Sequence, residues 1–212
     1  MSYISPEDFK ANTIGKAYDI DGAYGVQCVD GIKKHSLDLN NACDFTCGNG
    51  WAYGLWTCYD TNGVSKYYNK HPFSEVRIGD WVIWNKGSKD CKKSHVGMYY
   101  GMKDGKVISY GQNQNGKKAF NLFNVSTNGI LGVLRAKQYE FKLPDRGYFT
   151  YGDSGVEVEH IDNFFINKVK GKHYKDYTTA CVKAFQKINK LEQDGNIGKI
   201  TLNKMIEDGF DI

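Results

Sequence analysis

The stretch from residue 19 to residue 30 joins a cysteine to three aspartates in a glycine-containing loop, and these residue types could do chemistry. After Cys28, Val29 and Ile32 recur at helical spacing, so the cysteine is predicted to lie at the N-terminus of a helix. The unpaired N–H groups at that end of a helix favour a thiolate over a thiol. Cys28 is therefore the candidate nucleophile.

A thiol nucleophile needs a base within hydrogen-bonding reach, and that base is usually distant in sequence. Among the five histidines, His95 is the candidate, because it starts an apolar strand pattern where a polar residue is expected to face a cleft. An ordinary surface histidine at a strand end is the alternative. The others lie farther along the cysteine's helix, before a proline, or in the C-terminal part of the chain: His35, His71, His160 and His173.

The imidazole needs a third group to orient it, and amides at the end of the next predicted strand could supply one. Gln112 and Asn113 follow that strand, so neighbouring strands would bring either amide beside His95. A polar turn, which Asn and Gly favour by themselves, is the competing interpretation.

The aspartates around the cysteine also have the spacing of a calcium loop. With Asp19 as position one, Asp21 is position three and Asp30 is position twelve, which are carboxylate positions in a helix-loop-helix calcium site. Positions five and seven, Ala23 and Gly25, offer only backbone carbonyls. Position six is tyrosine where that loop requires glycine, and the last acid is shorter than the usual Glu. A solvated acidic turn is the alternative.

These residues must be positioned by helices followed by strands. Ser5 and Pro6 form a helix start, and Cys28 begins a second helix. Four strand patterns follow, at 81–84, 95–100, 106–110 and 130–135. Helices packed on an antiparallel sheet make an α+β fold, predicted here for a first domain of residues 1–143.

A second domain is predicted after a short linker. Pro144 and Gly147 break the strand pattern, so residues 144–151 are predicted to be the linker. Residues 152–212 contain three short helical patterns, which indicate a small all-α three-helix domain.

The composition of the chain excludes fewer functions than these motifs do. With 41% hydrophobic residues among 212, the chain can bury a core. Neither a signal peptide nor a membrane span is expected, and the six cysteines are then more typical of thiols, a nucleophile or metal ligands than of disulfides. The net charge of +4 suits nucleic acid, a cell wall or an ordinary solvated surface.

Three motifs, taken in order, resemble the CHAP family, the cysteine, histidine-dependent amidohydrolases/peptidases of phage endolysins and bacterial wall hydrolases. The resemblance covers about residues 10–137 and implies a papain-like α+β fold and cleavage of an amide bond in peptidoglycan. The motifs are Asp19-x-Asp21-Gly22-x-Tyr24-Gly25-x-Gln27-Cys28-x-Asp30, Gly79-Asp80-Trp81-Val82 and Ser94-His95-Val96-Gly97.

The same resemblance implies a structural calcium ion. Its ligands would be side chains of Asp19, Asp21 and Asp30 and carbonyls near Ala23 and Gly25.

The chain departs from related phage enzymes at the end of the strand after the histidine. Those enzymes often have Glu-Gln-Asn where this chain has Gly111-Gln112-Asn113, so Asn113 becomes the expected orienting residue.

Residues 152–212 resemble a three-helix peptidoglycan-binding domain. The matching pieces include Phe185-Gln186 and Asp194-Gly195-x-x-Gly198-x-x-Thr201, expected to be core and turn residues. The whole chain is thus expected to be an endolysin that is made in the host cytoplasm and acts on bacterial peptidoglycan after release. Its expected activity is that of an N-acetylmuramoyl-L-alanine amidase or of a stem or cross-bridge endopeptidase. Nucleic acid is not expected to be a partner. The alternatives are a non-catalytic wall-binding protein and a thiol amidase with another substrate.

Overall fold

The protein forms two compact units, Met1–Tyr139 and Glu140–Ile212. In the computed structural model, the described residues are 4–140, 143–153, 157–158, 161, 164–165 and 175–210. Every candidate catalytic and metal-binding residue lies in the first unit. No helix within these described ranges has the length and apolar character needed to cross a membrane.

The first unit begins with its helices. They are α1, Pro6–Thr13; α2, Cys28–Asp38; and the single turn α3, Gly54–Thr57. Short 3-10 turns follow at Val64–Lys66, Phe73–Glu75 and Lys137–Tyr139. The predicted start of α1 is confirmed: the Asp8 N–H donates to the Ser5 side chain over 3.1 Å, and Pro6 is the first helical residue.

Six antiparallel strands form the sheet of the first unit, in the order β1-β6-β2-β3-β4-β5. The mixed α+β class with an antiparallel sheet is therefore confirmed. The strands are β1, Tyr68–His71; β2, Trp81–Trp84; β3, His95–Lys103; β4, Lys106–Gly111; β5, Asn121–Ser126; and β6, Ile130–Ala136.

The four strands predicted from the sequence are β2, β3, β4 and β6, which occupy the middle of the sheet. The two strands that were missed, β1 and β5, form its edges. An edge strand buries fewer side chains than a central one, so it carries a weaker apolar pattern. All four residues of β2 are buried, whereas β1 and β5 alternate with exposed positions.

The core of the first unit lies between the helices and one face of the sheet. Phe9 of α1 and Ile32 of α2 pack there with Trp81, Val96 and Tyr110 from the strands. A Cβ on Gly31 would lie 3.3 Å from the Trp81 ring, so glycine lets α2 approach the sheet closely. A second apolar cluster covers the opposite face, with Val82, Trp84, Val107, Phe123 and Val133 among its members.

A buried ion pair joins the entrance of β2 to β6. Arg135 donates from Nε and Nη2 to the two carboxylate oxygens of Asp80, over 2.9 and 2.8 Å, and both side chains are 1% exposed. The same Nη2 donates to the carbonyl of Glu75. The aspartate in the Gly79-Asp80-Trp81-Val82 motif therefore serves the framework of the sheet.

The second unit is built around helices and one small strand pair. Its helices with complete bounds are α4, Lys175–Ile188, and α5, Lys199–Glu207, and Glu157, Val158, Ile161, Phe164 and Phe165 are also helical. Strand β7, Tyr148–Phe149, pairs with β8, Ile197–Gly198. This pair differs from the all-α expectation and includes part of the predicted linker 144–151. The sequence did not indicate it, because a two-residue strand leaves almost no pattern.

The motif residues of the second unit hold its turn together. The buried Gln186 side chain donates to Asp194, to the carbonyl of Asn196 and to Thr201, and accepts from the N–H of Gly195. The Phe-Gln and Asp-Gly-x-x-Gly-x-x-Thr pieces are thus structural in the described residues, as expected. The three-helix architecture of residues 152–212 remains a prediction, because part of that segment lies outside the described residues.

Replacement of Asp80 by Asn should destabilise the first unit by about 3 to 5 kcal/mol, because it leaves Arg135 charged and buried without its partner. Urea unfolding followed by tryptophan fluorescence measures this unit alone, since all four tryptophans belong to it. The control is Asp44→Asn, which breaks the exposed pair with Lys66 and should barely move the midpoint. Equal midpoints for the two variants would contradict the assignment.

Candidate active site

Cys28 is the first residue of α2, as the sequence predicts. Its side chain is half-buried and packs against the main core of the first unit. The residue before it, Gln27, is the N-cap, and its N–H donates to Oδ2 of Asp30 over 2.8 Å. The Asp30 carboxylate thereby fixes the first turn of the helix that carries the thiol.

Burial raises the pKa of the Cys28 thiol to about 11. Backbone N–H groups of Val96, Cys28 and Val29 contact the sulfur and act in the opposite direction, as expected at a helix N-terminus. Desolvation is the larger effect. The helix end therefore favours the thiolate as expected, but burial outweighs it and the resting group is a neutral thiol.

His95 is the first residue of β3 and is buried rather than lying on the surface. Its ring packs beside that of Trp84 on β2, with ring centroids 5.9 Å apart. Burial lowers the pKa of His95 to about 4, so the imidazole is neutral at physiological pH. A neutral imidazole can accept a proton, as a general base must.

The structure brings the thiol to the start of the histidine's strand. The backbone N–H that contacts the Cys28 sulfur belongs to Val96, the residue after His95. Helix α2 packs on β3, which holds this contact in place. The Cys28 sulfur thus lies beside the backbone of the residue that follows His95, although 67 positions separate the cysteine and the histidine in the sequence.

The amides after β4 make other contacts than those expected. Asn113 Nδ2 donates to Oε1 of Gln27 over 2.9 Å, so its described hydrogen bond reaches the N-cap residue and not the imidazole. Orientation of His95 by Asn113 therefore stays a prediction. Gln112, the other amide considered for that role, is fully buried, and its described hydrogen bonds reach Tyr18 and Gln27.

The Gln112 side chain joins both ends of the acidic loop to the end of β4. Its Oε1 accepts from the N–H of Tyr18 over 3.1 Å, and its Nε2 donates to the carbonyls of Tyr18 and Gln27, each over 2.7 Å. Tyr18 precedes the loop and Gln27 closes it. The loop and the nucleophile are consequently held by one side chain.

The three predicted calcium-binding carboxylates converge. Oxygen atoms of Asp19, Asp21 and Asp30 all lie within 4.8 Å of one another. Tyr24, at the position where a helix-loop-helix calcium loop requires glycine, has a φ of 65° and so adopts the left-handed conformation that glycine would adopt. The oxygen donors and the loop shape both fit a calcium ion.

A lysine occupies part of the same cluster. Lys33 Nζ donates to Oδ2 of Asp21 over 2.7 Å, and the lysine side chain is only 7% exposed. Burial acts to raise the pKa of Asp21, but the hydrogen bond and charge of Lys33 outweigh it and the pKa is lowered. For Asp30, burial dominates and raises the pKa, and the charges of Asp21 and Asp19 act in the same direction.

Sequence reasoning missed the contributions of Gln27 and Lys33. Gln27 stands beside the candidate nucleophile in the motif, which could have signalled a local role. Lys33 lies one turn and a half along α2 from Cys28, and nothing in its spacing distinguishes it from a solvated lysine. Only the folded loop brings its ammonium group to the aspartates.

Comparison with known proteins adds three findings. Residues 163–205 match a family described as "Putative peptidoglycan binding domain". The chain is 29% identical over 183 residues to a protein of Streptococcus phage B30 named "D-alanyl-L-alanine endopeptidase". That alignment covers 84% of this chain but 38% of the relative, so the chain spans well under half of the relative's length.

A solved structure titled "Crystal structure of a wild type endolysin LysIME-EF1" is also similar. It aligns with a TM-score of 0.40 and 21% sequence identity, over 63% of this chain and 64% of that chain.

Alkylation of Cys28 should be slow at neutral pH and should accelerate about tenfold per pH unit from pH 7 to 10, because only the thiolate reacts and its pKa is about 11. Timed iodoacetamide labelling, tryptic digestion and mass spectrometry measure this rate, with glutathione, whose thiol is unperturbed, as the reference. A rate for Cys28 that levels off below pH 8 would instead reveal a thiolate paired with His95.

Proposed function

We propose that this chain is a peptidoglycan hydrolase of the phage endolysin type, with a papain-like CHAP catalytic domain that uses Cys28 as its nucleophile. The observation that carries the proposal is the contact between the Cys28 sulfur and the backbone of Val96, which brings the thiol to the strand position beside His95. The phage relative's name and the match to a peptidoglycan-binding family favour the cell wall as the substrate.

In the proposed reaction, two neutral groups become charged only when substrate is attacked. His95 accepts the proton of the Cys28 thiol as the sulfur attacks the amide carbonyl, and the imidazolium then donates a proton to the leaving amine. Water completes the cycle by hydrolysing the thioester. The raised pKa of Cys28 and the lowered pKa of His95 make this concerted transfer more favourable than a resting ion pair.

The N-terminus of α2 supplies the proposed oxyanion site. The Cys28 N–H belongs to the first turn of the helix, where backbone N–H groups have no partner within the helix. Such a donor stabilises the negative oxygen of the tetrahedral intermediate. Asn113 donates a hydrogen bond to the Gln27 side chain beside this turn. It would orient His95 only if that hydrogen bond were broken.

Among the bonds considered from the sequence, the endopeptidase alternative gains support. The relative's name describes an endopeptidase for a D-alanyl-L-alanine bond, and the alignment with it extends over most of this chain. We therefore propose that the chain cuts a peptide bond between D-alanine and L-alanine rather than the muramoyl-alanine amide.

The second unit is proposed to bind peptidoglycan. Its match to the binding family spans residues 163–205, which include all of α4 and most of α5. A tethered binding unit raises the effective concentration of an insoluble substrate at the catalytic unit.

Calcium is proposed as a structural ion of the acidic loop. Asp19, Asp21 and Asp30 would hold it through carboxylates, with the carbonyls of Ala23 and Gly25 as further ligands. The ion would order the loop that ends at the nucleophile.

Replacement of Cys28 by Ala should abolish lysis of purified peptidoglycan, measured as loss of turbidity, while the protein still sediments with the sacculi. The change removes one sulfur atom from a half-buried site, so the thermal midpoint should stay close to that of the native chain. Ser88→Ala, which truncates a buried side chain outside the site, is the matched control and should remain lytic.

Mass spectrometry of the soluble products separates the remaining alternatives. Both activities free an N-terminal alanine, but endopeptidase action at the proposed bond leaves stem peptides that end in D-alanine attached to the glycan, whereas amidase action leaves a free lactyl carboxyl on the glycan. Undiminished lysis by the Cys28→Ala protein would rule out the cysteine mechanism, and native protein that binds sacculi without any lysis would identify a binding protein.

Calcium should raise the thermal midpoint of the native chain, and Lys33→Met should enlarge that rise to about 3 °C or more, because the loop then loses its own cation. Differential scanning calorimetry with calcium or a chelator measures both effects. The control is Lys34→Met on the same helix, which breaks an ion pair with Asp38 outside the acidic cluster. Midpoints that do not respond to calcium in any variant would exclude the site.

A further inference from the structure

Two polar atoms beside each other in the first unit are buried without a hydrogen-bond partner. One is Nε2 of His95 and the other is Oγ of Ser109. His95 is 4% exposed and Ser109 is fully buried. Buried polar atoms are nearly always paired, so two neighbouring exceptions call for a physical explanation.

Both atoms lie close to the position that a Cβ on Gly97 would occupy. A Cβ on Gly97 would lie 2.1 Å from Ser109 Oγ and 3.4 Å from His95 Nε2, so the atoms are separated by no more than the sum of these distances. His95 and Gly97 are two residues apart on β3, and Tyr99 of that strand pairs with Ser109 of β4. The histidine and the serine therefore face the same side of the sheet, and the glycine keeps the space between them open.

A position on β4 within contact distance of the imidazole has no side chain of its own. Gly111 follows Ser109 by two residues and shares its face, and a Cβ there would lie 3.8 Å from His95 Nε2. A longer polar side chain at 111 would reach the ring. In its absence, Ser109 is the polar group that this face of β4 presents to Nε2.

We propose that Ser109 is the positioning residue for His95, its hydroxyl oxygen accepting a hydrogen bond from Nε2–H after a rotation of the side chain or through one bridging water. This proposal rests on the cysteine mechanism proposed above. With the proton held on Nε2, the lone pair of the neutral imidazole is on Nδ1, which is then the atom that takes the thiol proton. The hydroxyl oxygen also stabilises the imidazolium that forms.

A neutral hydroxyl orients the ring with less electrostatic gain than a carboxylate. Its contribution should therefore be that of one hydrogen bond to a charged group. Replacement of Ser109 by Ala should lower kcat about 10- to 100-fold and leave the apparent KM for peptidoglycan unchanged, because the serine acts through His95 and does not contact substrate.

Kinetics of peptidoglycan lysis and NMR of the imidazole test the proposal on the full chain. Long-range 1H–15N spectra, in which the His95 signals are assigned by their loss in His95→Gln, should show the proton on Nε2 in the native chain and a mixture of tautomers in Ser109→Ala. A merely structural serine would not change the tautomer. The matched control is again Ser88→Ala, whose hydroxyl donates to the carbonyl of Asn85 over 2.6 Å in another part of the unit.

A second variant supplies the missing partner from the neighbouring position. Ser109→Ala combined with Gly111→Glu should recover most of the lost kcat, because a Cβ at 111 meets its nearest neighbours at ordinary contact distances of 3.5 Å or more. The proposal is overturned if Ser109→Ala keeps the native kcat and tautomer, or if it loses no more activity than Ser88→Ala. Failure of the cysteine mechanism is recognised separately by a lytic Cys28→Ala protein, and the tautomer measurement still decides whether Ser109 holds His95.

Discussion

The hydrogen bonds of one buried amide connect the parts of the candidate site. Gln112 accepts from one backbone group and donates to two others, so its side chain joins the beginning and the end of the acidic loop to the last residues of β4. The N-terminus of α2 and the strand next to that of His95 are thereby fixed relative to each other. A leucine of similar size would remove all three hydrogen bonds from these part-buried backbone groups, which costs more than the loss of a surface contact.

Burial has two opposite effects on the chemistry. It holds a thiol at a helix N-terminus and an imidazole at the start of the strand on which that helix packs, and it also removes the water that would stabilise their charged forms. The pKa of Cys28 rises and that of His95 falls, so both groups rest in the neutral state. Charge separation then has to occur together with attack, when the N–H groups of the first turn of α2 can act on the developing negative charge.

Short residue patterns in the sequence correctly predicted the helix starts and the central strands of the first unit. The cap at Ser5, the helix that begins at Cys28 and the four inner strands follow from residue patterns within a few positions. The edge strands, the cation at Asp21 and the close approach of Ser109 to Gly97 depend on contacts between distant residues, which no short pattern contains. Asn113 shows what strand order cannot predict. The order of the strands places this residue near the site, but only the structure shows that its side chain donates to Gln27.

The Lys33–Asp21 pair gives the acidic loop a counter-ion that is part of the chain. Repulsion among the three carboxylates is reduced in a solution that contains little calcium, as inside a cell, because the ammonium group travels with the protein. Calcium at the proposed site would have to compete with this ammonium group, which is tethered to the chain and cannot diffuse away. The arrangement of the three carboxylates therefore does not depend on a bound ion for charge compensation, because one positive charge is built into the neighbouring helix.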